Sequence, residues 1–405
     1  MNLAGDPQRL RTQSIASASL PGSVRILMLS IVNPRVERNG AATVTRGLLK
    51  LLALPPLEAQ IDCVPVRAEP LRWHRLAQAR SLLLGSFSNL PVKVAFLYSK
   101  EFRAKVATRV GSETYDLVVL NGTDLVWILD YLPASIPRIL VAHNIEHLLF
   151  SSQIQNLGWW YRPLAGLLRR DCTRLKDYEL EGIREIGNVV FLSHEEAAYA
   201  DSLCEGLRST TIPPVFDYEP RPRQNRKAGP TLEIGFLGSL KWWPNQLGLR
   251  WFADEVLPYV KSPMRINLFG SGGGSGWRRD PRIVEHGVVE RIEQVWANCD
   301  FLICPTFATG GVCVKLAEAV YNGMPVLATR HAARGLSVDG DPGLVFLDEP
   351  REWIEFLNST AARDLVERQV SEKTGERFAV DAQKDRLQQF VKRAISSRAA
   401  PGTCA

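Results

Sequence analysis

A glycine-rich turn that follows an apolar strand carries the residues best suited to hold an anion. The strand covers residues 301–305, and the turn at residues 309–311 opens a short helix. Backbone N–H groups and the positive end of that helix face whatever lies above the turn. Lys315 and Glu318 are three residues apart and share a helical face, which puts an ammonium group beside a carboxylate. A diphosphate needs the first and a ribose diol can use the second, so the pair suits a nucleotide diphosphate.

A second group of small and basic residues follows another apolar strand. Gly238 and Ser239 come directly after residues 232–237, and a chain without bulky side chains can approach a phosphate closely there. Lys241 offers a positive charge, and for it both a phosphate contact and an exposed surface position stay open. Gly270 and Val289 lie in two further loops, which line a nucleobase pocket in one interpretation and are ordinary turns in the other.

Two patterns resemble metal-binding motifs, and neither has the right surroundings. Residues 143–147 match the His-x-x-Glu-His pattern of zinc peptidases, but His143 follows a buried strand instead of lying on an established helix. That strand end is the edge where parallel α/β sheets place ligands. Asp339 and Asp341 precede a Pro-Gly pair, which is typical of a turn. The sequence therefore predicts no metal site.

Short apolar strands alternate with helices on both sides of one linker, which predicts an α/β fold with parallel sheets covered on both faces. The linker, residues 218–227, is rich in proline and charge. Asn39 and Gly40 lead from the first strand into the first helix. Strands are predicted at 24–32, 61–66, 117–121, 138–142, 189–193, 232–237, 265–269, 301–304, 325–328 and 344–347, and helices near 73–84, 93–110, 125–132, 163–186 and 380–395.

Composition limits the class of protein. A chain of 405 residues exceeds what one hydrophobic core usually supports, so two domains are expected. The net charge of +6 suits an anionic substrate or a membrane surface better than a nucleic-acid groove, and no nucleic-acid partner is expected. Seven scattered cysteines without a Cys-x-x-Cys pair fit a reducing cytoplasm. No signal peptide is evident, and the apolar runs are shorter than the roughly 20 residues of a membrane-spanning helix.

Several segments together resemble family 4 of the retaining glycosyltransferases. Residues 310–319 read Gly-Gly-x-x-x-Lys-x-x-Glu-Ala and are followed by Gly-x-Pro-Val at 323–326. Residues 236–245 are similar to the segment that opens the donor domain in the same branch, and 142–146 to an N-terminal landmark. The resemblance implies the GT-B fold, two Rossmann-like domains facing each other across a cleft. It places an acceptor domain at 23–216, a donor domain at 217–379 and a returning C-terminal helix at 380–397, and residues 1–22, before the first strand, are expected to be disordered.

The resemblance also implies roles for individual residues. Glu318 would hold the ribose hydroxyls, Lys315 the diphosphate, and His143 the transferred sugar near the reacting centre, and these three are the catalytic candidates. Gly310 stands where many members of the family carry a glutamate, so backbone N–H groups would meet the sugar. Cys313 stands where the branch often has arginine, which removes one phosphate charge. The other donor-side candidates are Gly40, Gly238, Ser239, Lys241, Gly270, Val289, Gly311 and Val312, and the acceptor-side candidates are Asn144 and Glu146.

The predicted function is retaining transfer of a sugar from a nucleotide-diphosphate sugar to a saccharide or lipid-linked acceptor, in the assembly of a bacterial surface polysaccharide or glycolipid. The nucleotide sugar is a co-substrate, and no further cofactor or metal is expected. Two alternatives stay open: a nucleotide-sugar epimerase of the same fold, and a non-catalytic subunit that binds a nucleotide sugar.

A cluster of aromatic and basic residues raises the question of membrane contact. Residues 157–163 contain Trp159, Trp160 and Arg162, and Arg169 and Arg170 follow. Such a patch can rest on anionic lipid headgroups at the inner face of the cytoplasmic membrane. Aromatic rings packed inside the domain, with a solvated basic face, are the alternative. The expected location is cytoplasmic, with this peripheral contact left open.

Overall fold

Two parallel six-stranded sheets form the molecule. The computed structural model describes residues 23–67, 90–156, 164–220, 226–272, 280–307 and 311–397. The first sheet has the strand order β2-β1-β3-β4-β5-β6 and the second the order β12-β11-β10-β7-β8-β9. The strands are β1 Arg25–Ser30, β2 Gln60–Pro65, β3 Leu117–Asn121, β4 Arg138–Ala142, β5 Asn188–Phe191, β6 Arg208–Thr211, β7 Leu232–Leu237, β8 Met264–Phe269, β9 Ile283–Gly287, β10 Phe301–Cys304, β11 Val326–Ala328 and β12 Leu344–Phe346.

Helices cover both faces of each sheet, as the apolar strands require. In β1, Leu27 and Leu29 belong to one core cluster, while Ile26 and Met28 belong to another on the opposite face. The α-helices are α1 Gly40–Ala53, α2 Val92–Leu97, α3 Lys100–Ser112, α4 Glu146–Gln155, α5 Ala165–Ile186, α6 His194–Asp201, α7 Trp243–Trp251, α8 Glu293–Asn298, α9 Val314–Tyr321, α10 Pro350–Asn358, α11 Ala361–Glu367, α12 Glu372–Glu376 and α13 Val380–Ser396. A π-helical turn, Phe252–Val256, and a 3-10 turn, Leu257–Tyr259, extend α7, and a further 3-10 turn covers Arg330–Ala333.

Local hydrogen bonds explain where predicted helices in the first half were wrong. The expected helix at 93–110 is divided into α2 and α3, because Ser99 adopts an extended conformation and its side chain accepts a hydrogen bond from the N–H of Phe102. The expected helix at 125–132 is a 3-10 helix, Thr123–Tyr131, in which the Trp127 N–H donates to the Tyr178 hydroxyl at 2.7 Å. The predicted helix at 73–84 lies outside the described residues.

The second sheet has the Rossmann strand order, in which the first strand, β7, lies between β8 and β10. The sequence predictions of β7 and β10 were confirmed at both ends. Strands β6 and β9 were missed. Both are edge strands with polar, partly exposed residues, so they lack the apolar run that identifies a central strand.

The last helix returns to the first sheet. Leu387 and Val391 of α13 share a core cluster with Leu48 and Leu51 of α1. Gln388 donates from Nε2 to the carbonyl oxygen of Leu51 at 2.8 Å, so a buried polar contact also ties the two helices together. The chain thus crosses between the two halves twice. None of the described helices is both long enough and apolar enough to span a bilayer.

The contact between α7 and β10 gives a prediction for stability. A methyl group on Gly248 of α7 would overlap the carbonyl oxygen of Pro305, just after β10, whereas one on Gly111 of α3 would meet nothing within 4 Å. We expect Gly248→Ala to lower the free energy of unfolding by roughly 1 to 3 kcal/mol, because the helix must move away from the sheet. Gly111→Ala, the matched helical control, should raise it by roughly 0.5 to 1 kcal/mol. Urea unfolding measures both, and equal effects would contradict the packing argument.

Candidate functional site

The carboxyl edges of the two sheets meet in backbone contact. Gly311, before α9, forms an isolated antiparallel bridge with Asn144, which follows β4. A methyl group on Gly311 would overlap Oδ1 of Asn144 and lie 2.6 Å from the carbonyl oxygen of His143. Close approach therefore requires glycine at position 311, and Gly311 lies directly against the backbone of the predicted cleft histidine.

Two further contacts hold the same edges together. The N–H of Gly335 donates to Oε1 of Glu195 in α6 at 3.2 Å. Val312 and Val314 pack against core clusters of both halves. A methyl group on Gly40, the first residue of α1, would lie 3.3 Å from Cβ of Val314. The structure therefore brings Gly40, Gly311 and Val312 together with His143 and Asn144, whereas Gly310 lies outside the described residues.

Glu318 lies on α9 and is held by the interdomain linker. Its Oε1 accepts a hydrogen bond from the Tyr218 hydroxyl at 3.0 Å, and that hydroxyl accepts one from Nδ2 of Asn322 at 3.1 Å. The other carboxylate oxygen has no partner among the described residues and can accept a bond from a ligand. Burial raises the pKa of Glu318 to about 7, although the Tyr218 hydroxyl and the charge of Arg46 favour the ionised form and Asp217 opposes it.

Lys315 is directed towards the carboxyl end of β7. Its Nζ donates to Oδ1 of Asn245 at 2.5 Å and lies 4.3 Å from the ring centroid of Phe236, the residue before the end of that strand. Nδ2 of Asn245 in turn donates to the carbonyl oxygen of Ser239 at 2.9 Å. The lysine that follows the glycine turn and the Gly-Ser pair after β7 therefore form one site.

The loops after β7 and β8 approach each other closely. Gly238 and Gly270 have φ angles of 146° and 142°, which side chains rarely adopt. A methyl group on Gly270 would overlap the carbonyl oxygen of Gly238. The Ser271 hydroxyl donates a hydrogen bond to the Ser239 hydroxyl at 3.2 Å, and the side chain of Lys241 is exposed beside them. The surface formed by these two loops thus consists of backbone and hydroxyl groups, with the side chain of Lys241 at its edge.

Val289 lies at a pocket of about 310 Å³, beyond β9. The rings of Phe269 and His286 are stacked there, with their centroids 4.6 Å apart. Val288 is exposed at its edge. The remaining lining residues are Glu290, Gln294 and Asn298, which the sequence interpretation did not name. The pocket offers stacked aromatic rings and polar side chains, which fit a planar ring with polar edges.

His143 is buried after β4, and burial lowers its pKa to about 4, with Lys93 acting in the same direction and Glu146 against it. Its Nε2 is 2.7 Å from Oδ1 of Asn121, the last residue of β3. The imidazole is therefore neutral near pH 7.

An ion-pair cluster lies beside His143. Nζ of Lys93 is 2.9 Å from Oδ2 of Asp124 and 2.5 Å from Oε2 of Glu146, and Nδ2 of Asn144 donates to Oε1 of Glu146 at 3.1 Å. Burial raises the pKa of Asp124 to about 6. Burial opposes ionisation of Glu146 as well, but the Lys93 ammonium lowers its pKa below the usual value. The predicted acceptor residues are thus part of a charged cluster.

Side chains from both sequence patterns that resemble metal-binding motifs make other contacts in the structure. Nδ1 of His147 is 2.7 Å from Oε2 of Glu179, and its Nε2 is 2.8 Å from the Tyr199 hydroxyl, so both ring nitrogens are engaged. Asp341 accepts hydrogen bonds from the hydroxyls of Ser371 and Thr374. Within the described residues, no group of three or more His, Cys, Asp or Glu side chains is arranged to hold a metal ion.

The sequence interpretation missed residues that support this site. Asn121, Tyr218 and Asn245 contact predicted site residues directly, and Lys93 and Asp124 complete the ion-pair cluster. One signal was available: Asn121 is the single polar residue of the otherwise apolar strand β3, at its carboxyl end. The others lie far apart in the sequence, and only the fold brings them together.

Comparison with known proteins agrees with this architecture. Residues 231–362 match the family described as Glycosyl transferases group 1. Over this segment, the chain is similar to that family. No curated protein matches the chain.

Solved structures extend the similarity to nearly the whole chain. Sucrose-phosphate synthase from Thermosynechococcus elongatus has a TM-score of 0.65 at 16% identity, with 92% of this chain and 100% of that chain covered. Anabaena HepE in complex with UDP-glucose has a TM-score of 0.59 at 17% identity, with 91% and 99% covered. The lipopolysaccharide outer core galactosyltransferase WaaB has a TM-score of 0.51 at 10% identity, with 91% and 99% covered. The chain adopts the GT-B fold.

The surroundings of Glu318 give a prediction that needs no ligand. We expect its carboxyl group to titrate near pH 7. Because the folded protein then retains a proton that the unfolded chain loses near pH 4.5, Glu318 should lower the free energy of unfolding as the pH rises from about 4.5 to 7. Tyr218→Phe removes a bond to the ionised form and should raise this pKa further. Tyr321→Phe, which removes only the bond from the Tyr321 hydroxyl to the linker carbonyl of Tyr218, should not.

Carboxyl ¹³C spectra of protein labelled at glutamate, with Glu318→Gln to assign the signal, measure the titration directly. A carboxyl group that titrates near the usual value for glutamate would contradict the assigned environment.

Proposed function

We propose that this protein is a glycosyltransferase that moves a sugar from a nucleotide-diphosphate sugar to a saccharide or lipid-linked acceptor, with retention of configuration and without a metal ion. One observation carries the proposal. Lys315 and Glu318 lie on one face of α9, within the segment that matches the Glycosyl transferases group 1 family, and Gly311, before that helix, lies against the backbone of His143 and Asn144. A donor bound at α9 would therefore have its sugar next to the other half of the chain.

The charges of the site suit departure of a nucleotide diphosphate. Negative charge grows on the diphosphate as the bond to the sugar breaks. Lys315, held by Asn245, and the N-terminus of α9 would stabilise that charge. The backbone at Gly238 and Ser239 offers further contact. Glu318 would hold the ribose through the carboxylate oxygen that Tyr218 leaves free.

The first half supplies neutral contacts to the sugar in this proposal. His143 is uncharged near pH 7, so it does not repel the positive charge that develops on the sugar ring as the leaving group departs. Asn144 and Glu146 would contribute to the acceptor side. Glu146 and Asp124 are both paired with Lys93, which argues against either of them as a free nucleophile.

The donor and setting follow from chemistry and from the neighbours. HepE structures are described in complex with UDP and with UDP-glucose, and WaaB is described as a galactosyltransferase of the lipopolysaccharide outer core. We infer a UDP-hexose as the first donor to test and a bacterial surface polysaccharide or glycolipid as the product. The pocket beside Val289 is the proposed site of the base.

Incubation with UDP-glucose and a panel of other nucleotide-diphosphate sugars tests the reaction. We expect one donor to raise the melting temperature and to be hydrolysed slowly, also in excess chelator, because lysine and backbone N–H groups replace the metal ion. Glu318→Ala should weaken donor binding by roughly 1.5 to 3 kcal/mol in calorimetry, through loss of charge-assisted hydrogen bonds. With an acceptor, NMR of the product should show the donor's anomeric configuration.

Other outcomes separate the alternatives. An isomerised donor would indicate an epimerase, and binding without turnover under all conditions a non-catalytic subunit. Activity that chelator removes and magnesium, manganese or zinc restores would contradict the metal-free mechanism.

Contact with a membrane surface is the second proposal. Leu148, Leu164 and Leu167 are exposed, and the exposed side chains of Arg169 and Arg170 follow on α5. Trp159, Trp160 and Arg162 of the sequence patch lie outside the described residues. Apolar side chains beside arginines suit the boundary between acyl chains and anionic headgroups. This patch lies on the half of the chain opposite to the proposed donor site.

Vesicle flotation tests the membrane contact. In low salt, the protein should float with vesicles that contain an anionic phospholipid and less with neutral vesicles, since each basic residue near the surface adds about 1 kcal/mol. Arg169→Glu with Arg170→Glu should abolish flotation and leave donor binding intact. Arg351→Glu with Lys373→Glu, an equal charge change on exposed helices of the second half, is the control and should still float. If the variant with Arg169→Glu and Arg170→Glu still floats, the result would contradict the proposed membrane contact.

A further inference from the structure

His143 and three other buried polar side chains form a hydrogen-bonded network that begins in the first helix. Nδ2 of Asn121 is 2.8 Å from Oγ1 of Thr45 and 3.1 Å from Oγ of Ser30, and its Oδ1 is 2.7 Å from Nε2 of His143. Ser30, Thr45 and Asn121 have no solvent exposure, and His143 is 8% exposed. The group connects α1, β1, β3 and the residue after β4, so it crosses the carboxyl edge of the first sheet beneath the cleft.

A backbone carbonyl fixes the direction of these hydrogen bonds. The Thr45 hydroxyl donates its hydrogen to the carbonyl oxygen of Ala41 at 2.8 Å. Its oxygen must therefore accept from Asn121, which places the amide nitrogen of Asn121 towards Thr45 and Ser30. The Ser30 hydroxyl oxygen accepts a hydrogen bond from the N–H of Val32 at 3.3 Å, and it also accepts one from Asn121.

The amide oxygen of Asn121 then faces His143 and can only accept. Nε2 of His143 must carry the hydrogen. Because burial holds the ring neutral near pH 7, Nδ1 carries a lone pair and no hydrogen. Nδ1 has no partner among the described residues and is the ring nitrogen left for a ligand.

We propose that Asn121, oriented by Thr45 and Ser30, is a positioning residue that fixes His143 as the tautomer with hydrogen on Nε2, so that Nδ1 accepts a hydrogen bond from a hydroxyl group of the donor sugar. The last clause rests on the proposed function. The same geometry makes His143 unable to donate from Nδ1 to a phosphate oxygen. It binds the sugar as a neutral acceptor, which is compatible with positive charge on the ring.

Imidazole nitrogen spectra test the tautomer in the free protein. Long-range ¹H–¹⁵N correlation distinguishes a protonated from an unprotonated ring nitrogen, and His143→Gln identifies the signals of His143 among the six histidines. Between pH 6 and 8 we expect Nε2 to appear protonated and Nδ1 unprotonated. A hydrogen on Nδ1, or an average of the two tautomers, would overturn the inference without any variant of the network.

A double variant tests what orients Asn121. Ser30→Ala with Thr45→Val removes both acceptors of the amide nitrogen, so the amide group can rotate and present its nitrogen to His143. We then expect the tautomer to change and kcat for hydrolysis of UDP-glucose, or of the donor found in the panel, to fall about tenfold, as for loss of one hydrogen bond, with a smaller change in KM.

Two controls separate positioning from stability. Thr45→Ser keeps the hydroxyl and should retain both the tautomer and kcat. Thr108→Val removes the same type of bond, from a hydroxyl to the carbonyl oxygen four residues earlier, on the exposed side of α3, and should change neither. If the double variant keeps the spectrum and kcat of the natural protein, Asn121 is not a positioning residue. A protein that turned over no nucleotide sugar would contradict the proposed function, while the spectrum of the free protein would still decide the tautomer.

Discussion

The backbone contact between Gly311 and the residues after β4 is the constraint on which the site depends. No side chain fits at Gly311, because Asn144 and the carbonyl oxygen of His143 occupy the space. Val312 and Val314 follow and pack into the cores of both halves, and α9 begins at Val314. The segment that joins the two halves therefore also sets the start of the helix that carries Lys315 and Glu318. The same contact thus holds the two halves together and positions these two side chains.

Burial acts on two titratable groups of the site in the same direction, towards the neutral form. It lowers the pKa of His143 and raises that of Glu318. Hydrogen bonds then set how far each shift goes: the Tyr218 hydroxyl favours the ionised form of Glu318, and Lys93 keeps Glu146 ionised. A neutral histidine and a carboxyl group that ionises near pH 7 are the result.

The supporting residues stand where strands end. Ser30 and Asn121 are the last residues of neighbouring strands β1 and β3, and His143 follows β4, the next strand in the sheet. The chain leaves β1 and β3 at the point where the strand order changes direction, which opens a crevice at the carboxyl edge. Thr45 of α1 can therefore reach Asn121. In the second half, Asn245 plays a similar part between Lys315 and the loop after β7.

Local pattern in the sequence was enough to predict the alternation of strands and helices and the parallel sheets, because strand burial and helix caps depend on neighbouring residues. It also singled out Lys315, Glu318 and His143, which follow recognisable strand ends. It could not show that Tyr218 contacts Glu318 across a separation of 100 residues, or that Asn121 faces His143. It also missed the edge strands β6 and β9, whose polar residues pair through backbone groups that carry no side-chain signal. Hydrogen-bond direction, tautomer and pKa depend on groups from different elements, and only the tertiary structure places those groups within reach of one another.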